Sequence, residues 1–255
     1  MSFDIIDPEE RKRIKMVTYG ACGVGKTSFA STAADFEKAK DVLFISPDKG
    51  EGVAKGKDFD VIRINQFEQL EDVHEFLTYH VRFRDDDKKR KEVHEEYGVR
   101  FNKQSYETVV LDSLTELSRY SEDHIVGNKP DTRISEREGM EGWSDWELQK
   151  QNMVGVLRSF RDLDVHFIGT ATEKREKDET RGEVTVLPNI SGSAREFVEE
   201  AVDIIGYTLT KDGDNGVEYG MMFESGNKYV CKQRYGLPSI MKDPTFEKVY
   251  QHVNS

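Results

Sequence analysis

Residues 19–30 read YGACGVGKTSFA and match the phosphate-binding pattern G-x-x-x-x-G-K-[ST]. Gly20, Gly25, Lys26 and Thr27 occupy its four fixed positions. The apolar run IKMVTYG leads into this loop, and KTSFASTAADF continues from it with a helical pattern. A strand before the loop and a helix after it hold backbone N–H groups toward an anion, so the stretch predicts a nucleotide-binding P-loop.

The residue types of the loop have defined roles in this prediction. Glycines let the backbone approach a triphosphate without Cβ clashes, Lys26 reaches the β- and γ-phosphates, and Thr27 offers its hydroxyl to Mg²⁺. A chance match is the alternative, and the flanking strand and helix patterns argue against it. The candidate nucleotide-binding residues are Gly20, Ala21, Cys22, Gly23, Val24, Gly25, Lys26, Thr27 and Ser28.

A second candidate is the acid that ends the β-branched run TVVLDS at residues 108–113. A P-loop needs a carboxylate at the end of a neighbouring strand to hold the metal, and Asp112 is in that place. Asp112 as a simple helix cap for SLTELSRY is the alternative. Many ATPases place a water-activating Glu directly after this acid, whereas this chain has Ser113, so the base must come from elsewhere.

The order of strand and helix patterns predicts an α/β fold. Apolar runs at 41–48, 59–65, 108–111 and 165–172 alternate with helical segments, which favours a mostly parallel central sheet flanked by helices. The later runs DIIGYTLT, VEYGMMFES and KYVCKQR are separated by turn signals, which predicts C-terminal antiparallel strands. A closing helix is predicted with Asp243 as its cap. We expect a single domain over residues 1–255, with its core at about 14–250.

Composition limits the function. The formal net charge is -12, which argues against coating nucleic acid through general positive charge, so any DNA contact must be local. Two cysteines are too few for a disulfide framework, and no stretch is apolar enough for a signal peptide or a membrane span. We expect a cytoplasmic protein, in the host cytoplasm if it is viral, without a membrane partner.

The run YVCKQRYG at residues 229–236 places two cations, Lys232 and Arg234, on one face of a predicted strand. A surface strand with this pattern by accident is the alternative. The functional interpretation is that both reach the γ-phosphate bound to a neighbouring subunit, where an arginine finger accelerates hydrolysis by ~10³ to 10⁵.

These motifs together resemble a known family. KQRYG is similar to a strand of RadA-type recombinases and DnaB-type helicases. The motifs YGACGVGKT, VVLDSLTEL, IGTATEKRE, LPNISGSAREFVEEAVDIIGYT and KQRYGLP occur in the order seen in phage RecA-like single-strand annealing ATPases of the Sak type. The resemblance implies a RecA-like P-loop NTPase core that binds ATP and Mg²⁺ between the protomers of a ring or filament.

The resemblance also implies roles for individual residues. Lys26 and Thr27 become the phosphate and metal groups, and Asp112 becomes the metal acid. Thr172 becomes the polar residue that ends the fourth strand, and Lys232 with Arg234 becomes the pair supplied in trans. The water-activating acid follows the strand in VLFISPDKGEG, where Asp48 is the candidate and Glu51 the alternative. Both are also compatible with simple turn acids.

Single-stranded DNA is the partner that the resemblance implies, together with further copies of the chain and a single-strand-binding protein. RecA-like cores bind DNA with two loops, whose equivalents fall within 122–143 and 173–192. The second contains the candidate DNA-binding residues Lys174, Arg175, Lys177 and Arg181, interleaved with acids. A solvated loop is the alternative for this segment. The rival functions are a nucleotide-gated oligomeric scaffold or motor accessory with slow turnover and, with less support, a P-loop kinase.

Overall fold

The chain is organised around one twisted β-sheet. A computed structural model describes residues 13–47, 56–97, 105–179, 182–191, 194–214, 216–226 and 228–255. Its strands are β1 (Lys15–Gly20), β2 (Val42–Ser46), β3 (Phe59–Arg63), β4 (Thr108–Leu111), β5 (His166–Lys177), β6 (Val184–Pro188), β7 (Ile204–Gly213), β8 (Gly216–Met222) and β9 (Ile240–Lys242). The order across the sheet is β3-β2-β4-β5-β1-β7-β8-β9, and β6 pairs with β5.

Strand direction confirms the predicted α/β class. The strands from β3 across to β7 are mutually parallel, whereas β8 and β9 continue the sheet in antiparallel fashion. Strand β1 is buried along its whole length. A strand covered on both faces has no solvent side, which explains its continuous rather than alternating apolar pattern.

Helices cover both faces of the sheet. They are α1 (Lys26–Ser31), α2 (Gln69–Arg82), α3 (Asp87–Glu96), α4 (Leu114–Ile125), α5 (Trp143–Asp162), α6 (Ala194–Ala201) and α7 (Phe246–Val253), with 3₁₀ turns at Thr32–Asp35 and Ile134–Glu136. The apolar faces of α2, α4, α5 and α6 share one core cluster with Val17 and Tyr19 of β1. The other face of β1, with Met16, packs with α1 and α7. No helix among these described segments is long and apolar enough to cross a membrane.

The longest departure from the sequence prediction lies in β5. We expected a strand over 165–172 followed by a charged loop, but β5 runs to Lys177 and forms an antiparallel hairpin with β6, from Glu173 opposite Pro188 to Lys177 opposite Val184. The local sequence is strongly charged, so its own propensity does not predict a strand. The end of β5 is stabilised instead by its pairing with β6, whose residues Val186 and Leu187 are buried.

Two smaller predictions near the C-terminus were wrong. The run 228–234 is not a regular strand, because it pairs only through single bridges, Tyr229 with Val186 and Lys232 with Ile205. The closing helix α7 is capped by Thr245, whose hydroxyl accepts the N–H of Lys248 at 3.3 Å, rather than by Asp243. Asp243 instead has a positive φ of 43° and pairs its N–H with Tyr219.

A buried histidine pair makes the fold sensitive to acid. His80 of α2 is fully buried, and its Nε2 accepts the N–H of Tyr106 at 3.1 Å. Its hydrogen is therefore on Nδ1, which donates to Nε2 of His94 at 3.0 Å. Burial, with His94 and Arg90 nearby, lowers the pKa of His80 to about 3. The neutral form is the one that fits this site.

We expect the free energy of unfolding to fall as the pH drops below about 6.5, because His80 then binds a proton in the unfolded chain but stays neutral in the native protein. Between pH 7 and 5 this single group accounts for about 2 kcal/mol. The His80→Gln variant should show a flatter dependence in urea titrations, whatever its absolute stability. The exposed His252→Gln change is the control and should keep the wild-type slope. An unchanged slope in His80→Gln would contradict this assignment.

Candidate active site

The P-loop connects the carboxyl end of β1 to α1, and two glycines shape it. Gly25 precedes α1 with a φ of 93°, in the left-handed region that favours glycine. A Cβ atom on Gly20 would collide with the carbonyl oxygen of Thr208 on β7. Side chains are therefore excluded at both ends of the loop, which leaves its backbone N–H groups accessible to an anion.

Lys26 is held against the loop from which it projects. Its Nζ donates to the carbonyl oxygens of Gly20 at 3.1 Å and Ala21 at 2.7 Å. The side chain is half-buried rather than extended into solvent. Its charge therefore lies beside the loop backbone, as the phosphate-binding role of this lysine requires.

Asp112 follows β4 and is bound to the P-loop helix. Its backbone N–H donates to Ile45 of β2 at 3.0 Å, and its carboxylate is 7% exposed. One carboxylate oxygen accepts the hydroxyl of Thr27 at 2.7 Å, and the other accepts the hydroxyl of Thr170 on β5. Asp112 is not the cap of α4, because that role belongs to Ser113, which accepts the N–H of Glu116 at 3.3 Å.

The donor set around Asp112 fits the metal ion that accompanies a nucleotide. Carboxylate and hydroxyl oxygens are ligands that Mg²⁺ prefers, and Thr27 and Asp112 supply one of each side by side. Mg²⁺ bound there would supply charge neutralisation to the phosphate oxygens. The buried position of Asp112 also restricts its reorientation, since both its oxygens already have hydroxyl partners.

Thr172 lies beside the P-loop and joins it to the neighbouring elements. It is paired with Gly20 in the register of β5 and β1. Its backbone N–H donates to the hydroxyl of Thr115 on α4 at 3.0 Å, and its own hydroxyl accepts from the side chain of Asn189 at 3.2 Å. Thr115 in turn donates to the carbonyl of Asn189 at 2.9 Å. These bonds connect the P-loop edge, α4 and the end of β6.

The two candidates for the water-activating acid, Asp48 and Glu51, lie outside the described residues. The segment that leads toward them is described as far as Pro47. The carbonyl of Pro47 accepts the hydroxyl of Tyr120 on α4 at 3.0 Å, so the end of β2 lies beside α4.

Lys232 and Arg234 do not lie near their own P-loop. Lys232 pairs with Ile205, which is in register with Val17, three residues before Gly20 on β1. Its Nζ donates to the carbonyl oxygens of Glu199 and, at 2.8 Å, of Val202, at the end of α6. Burial lowers the pKa of Lys232, and the charge of Arg234 adds to this effect.

Arg234 lies at the same end of the sheet as Lys232. Its guanidinium is 59% exposed and bonds Asp203, just before β7, at 3.4 Å. Parallel strands begin at this edge and end at the P-loop edge, so the two cations and the loop occupy opposite edges. The sequence alone did not indicate this separation.

The predicted DNA-binding cations lie on the β5–β6 hairpin. Lys174 pairs with Glu176 at 3.0 Å, and Arg175 pairs with Glu173 at 2.8 Å. Lys177 is exposed at the end of β5, and Arg181 lies outside the described residues. Lys174 and Glu176 are both well exposed, so their ion pair contributes little to stability. Glu173 is only 12% exposed and also accepts the hydroxyl of Tyr207 at 2.9 Å.

Comparison with known proteins agrees with the site geometry. The model of a family described as an AAA domain matches residues 12–235. The chain belongs to the AAA domain family. A solved structure that the domain resembles is the KaiC-like protein PH0186 from the hyperthermophilic archaeon Pyrococcus horikoshii OT3, with a TM-score of 0.45 and 11% identity over 91% of this chain and 89% of that one. No curated protein matches the chain.

This AAA domain is a P-loop ATPase domain. One strand, β5, separates the P-loop strand β1 from β4, which carries Asp112. The loop glycines, Lys26, Thr27 and Asp112 are together at one edge of the sheet, and the nucleotide site that the sequence predicts there stays a prediction.

A cavity next to the P-loop of the AAA domain was missed by sequence reasoning. It has a volume of about 380 Å³. Its lining residues come from the P-loop, α1, β7, β8 and the turn before α7: Val24, Gly25, Ser28, Phe29, Thr32, Thr208, Tyr219, Asp243, Pro244 and Thr245. The Tyr219 ring is half exposed and lies 3.2 Å from the position of a Cβ on Gly25. An aromatic face at this distance from a phosphate loop can stack on a nucleobase.

We expect Tyr219→Ala to weaken ATP binding at least about five-fold, because a base–aromatic stack contributes ~1 to 3 kcal/mol. Tyr219→Phe keeps the ring and should bind ATP nearly as well as wild type. Titration with a fluorescent ATP analogue measures both. Inorganic tripolyphosphate, which has no base, should bind all three proteins equally. A matching loss of tripolyphosphate binding in Tyr219→Ala would show that the ring supports the loop rather than the base.

Proposed function

We propose that this ATPase domain hydrolyses Mg·ATP while acting on single-stranded DNA in phage-type recombination or annealing, and that it works as an oligomer with ATP sites shared between copies. The observation that carries the proposal is the position of Thr172. This residue ends the parallel part of β5 beside Gly20 and directly precedes the β5–β6 hairpin, which carries Lys174 and Arg175 among acidic residues.

One continuous strand therefore links the nucleotide loop to the candidate DNA element. Residues 166–171 of β5 are buried in the sheet, whereas Lys174 and Arg175 beyond them are exposed. The bonds of Thr172 to Thr115 and Asn189 tie the base of the hairpin to α4, the helix that follows Asp112. A shift at the phosphate edge would thus be transmitted to the hairpin through packed elements and not through a flexible loop.

The charges of the hairpin are compatible with a local DNA contact. Glu173 and Glu176 are paired with Arg175 and Lys174 in the free protein. The Lys174–Glu176 pair is exposed on both sides and is worth only about 0 to 1 kcal/mol, so exchange of Glu176 for a DNA phosphate costs little. The net charge of -12 disfavours non-specific binding along double-stranded DNA. Binding would therefore depend on a small local site.

ATP turnover with and without single-stranded DNA is the direct test. We expect an oligonucleotide without secondary structure to raise the rate several-fold, with no effect of double-stranded DNA of the same length. The Lys26→Ala protein should show no turnover in either condition, which controls for contaminating ATPases. Turnover that is indifferent to single strands would contradict the proposed role.

The shared site is tested by mixing two inactive variants. Arg234 cannot serve its own P-loop from the opposite edge of the sheet, so in our proposal it serves the site of another copy. Arg234→Ala should retain ATP binding and lose hydrolysis by at least ~10³-fold. Mixed in equal amounts with Lys26→Ala, it should recover about one active interface in four, because half of the P-loops are intact and half of their neighbours supply Arg234.

The matched control for this experiment is Arg161→Ala. Arg161 is also a partly exposed arginine that pairs with an aspartate, here Asp162 at 2.7 Å, and it has no role in the proposal. It should keep wild-type turnover. Absence of recovery in the mixture, with both variants folded and the Arg234 variant binding ATP, would exclude the trans assignment.

A nucleotide-gated scaffold with slow turnover is the second candidate. It is favoured by the position after Asp112, where Ser113 caps α4 instead of providing an activating carboxylate. ATP-dependent assembly without DNA-stimulated hydrolysis would support this alternative over the first.

A further inference from the structure

A second cavity, separate from the P-loop pocket at Tyr219, lies at the base of the β5–β6 hairpin. It has a volume of about 220 Å³ and is lined by Thr115, Ser118, Arg119, Glu122, Trp146, Lys174, Asn189, Ile190 and Ser191. These residues come from α4, the first turn of α5, the start of the hairpin and the segment after β6. A space of this size accommodates one planar ring system and not a folded protein segment.

The wall of this cavity is an exposed aromatic side chain. Trp146 is 49% exposed, although a tryptophan is among the costliest side chains to leave in water. Aromatic rings with an accessible face next to cations are the usual platform for unpaired bases. The cations are present at the rim, because Arg119 and Lys174 both line the cavity.

The floor of the cavity contains a polar group without a partner. The hydroxyl of Ser118 is buried and, among the described residues, one of two buried side-chain polar atoms that make no hydrogen bond. The hydroxyl oxygen is closed to solvent, so a molecule in the cavity does not reach it without a shift of α4. Glu122, held at 2.7 Å by the side-chain amide of Gln149, offers a carboxylate acceptor in the same space.

The two cations at the rim can exchange their present acidic partners for the phosphates of a ligand at a small cost in free energy. Arg119 is 65% exposed and pairs with Glu116 at 2.8 Å, and Lys174 is 52% exposed and pairs with Glu176. Both pairs are of the weak surface type. The cavity therefore combines an aromatic face, an acceptor for amino groups and two cations that can reach flanking phosphates.

We infer that this cavity, the Trp146 pocket, receives a single unstacked base of single-stranded nucleic acid. The base stacks on Trp146 and its amino group, where present, bonds Glu122, while Arg119 and Lys174 hold the adjacent phosphates. This inference rests on the proposed single-strand-binding function and names its contact point. Trp146 lies three residues beyond the 122–143 segment in which sequence reasoning placed the first DNA loop.

The position of the pocket also connects it to the nucleotide edge. Thr115 lines the pocket and bonds Thr172, which is paired with Gly20 at the start of the P-loop. A bound base would therefore be separated from the P-loop by a short series of hydrogen-bonded residues.

The chain contains two tryptophans, Trp143 and Trp146, which gives a direct spectroscopic test. In the Trp143→Phe protein, Trp146 is the sole tryptophan, and oligo(dT) should quench its emission saturably. In the Trp146→Phe protein, oligo(dT) should cause little quenching of Trp143, which is 84% exposed and does not line the pocket. Equal quenching in both proteins, or none in Trp143→Phe while oligo(dT) binds, would overturn the inference.

Affinity for a labelled oligo(dT) gives the second readout. Trp146→Ala should weaken binding by about 5- to 150-fold, the equivalent of ~1 to 3 kcal/mol per stacked base. Trp146→Phe should recover part of this loss, whereas Trp143→Ala should remain within about two-fold of wild type, because a single exposed side chain outside the pocket makes no stack. Thermal melts confirm that each variant is folded.

The outcomes separate this inference from the proposed function. Wild-type protein that binds oligo(dT) with a Trp146→Ala variant of equal affinity would overturn the pocket assignment and leave the single-strand function intact. Wild-type protein that binds no single strand would overturn both. Concentration-dependent quenching of Trp146 without DNA would assign the pocket to contact with a second copy and overturn its role as a base site.

Discussion

The hydrogen bonds of the Asp112 carboxylate are the constraint on which the rest of the site depends. One oxygen binds Thr27 of the P-loop helix and the other binds Thr170 of β5. A carboxylate that is 7% exposed would be costly without such partners, so the two hydroxyls make its burial possible. The same bonds align α1, β4 and β5 at one edge of the sheet, where phosphate and metal groups must meet.

The parallel sheet distributes the functional groups to its two edges. The P-loop, Asp112, Thr172, the hairpin and the Trp146 pocket are associated with the carboxyl edge. At the amino edge, Lys232 bonds the end of α6 and Arg234 bonds Asp203 just before β7. In the proposed shared site, groups on these opposite edges would meet through head-to-tail contacts between copies, the kind of contact that closes into rings or extends as filaments. The present bonds of the two cations to the carbonyls of α6 and to Asp203 keep them ordered in the single copy.

Local patterns were sufficient for most of the parallel core. The TVVL run was predicted as a strand and forms β4, which is buried along its whole length. Helix α2 lies in the helical segment predicted between the apolar runs 59–65 and 108–111, and its apolar side chains recur at helical spacing. The same reasoning was wrong for the charged continuation of β5 and for the run 228–234. In β5 the strand is stabilised by its partner β6, and in 228–234 the pairing stops after single bridges, so neither outcome is encoded in local periodicity.

By itself, the sequence determined the P-loop motif, the acid Asp112 at the end of a strand and the α/β order of elements, because each depends on residue types at short spacing within one strand, loop or helix. The tertiary structure decided which distant side chains meet. The packing of β8 against the P-loop brings Tyr219 to Gly25. The packing of α4, α5 and the hairpin against one another encloses Ser118 beside Trp146. The direction of the strands separates Arg234 from Lys26. Contacts between elements far apart in the chain arise from sheet register and helix packing, which no short stretch of residues specifies.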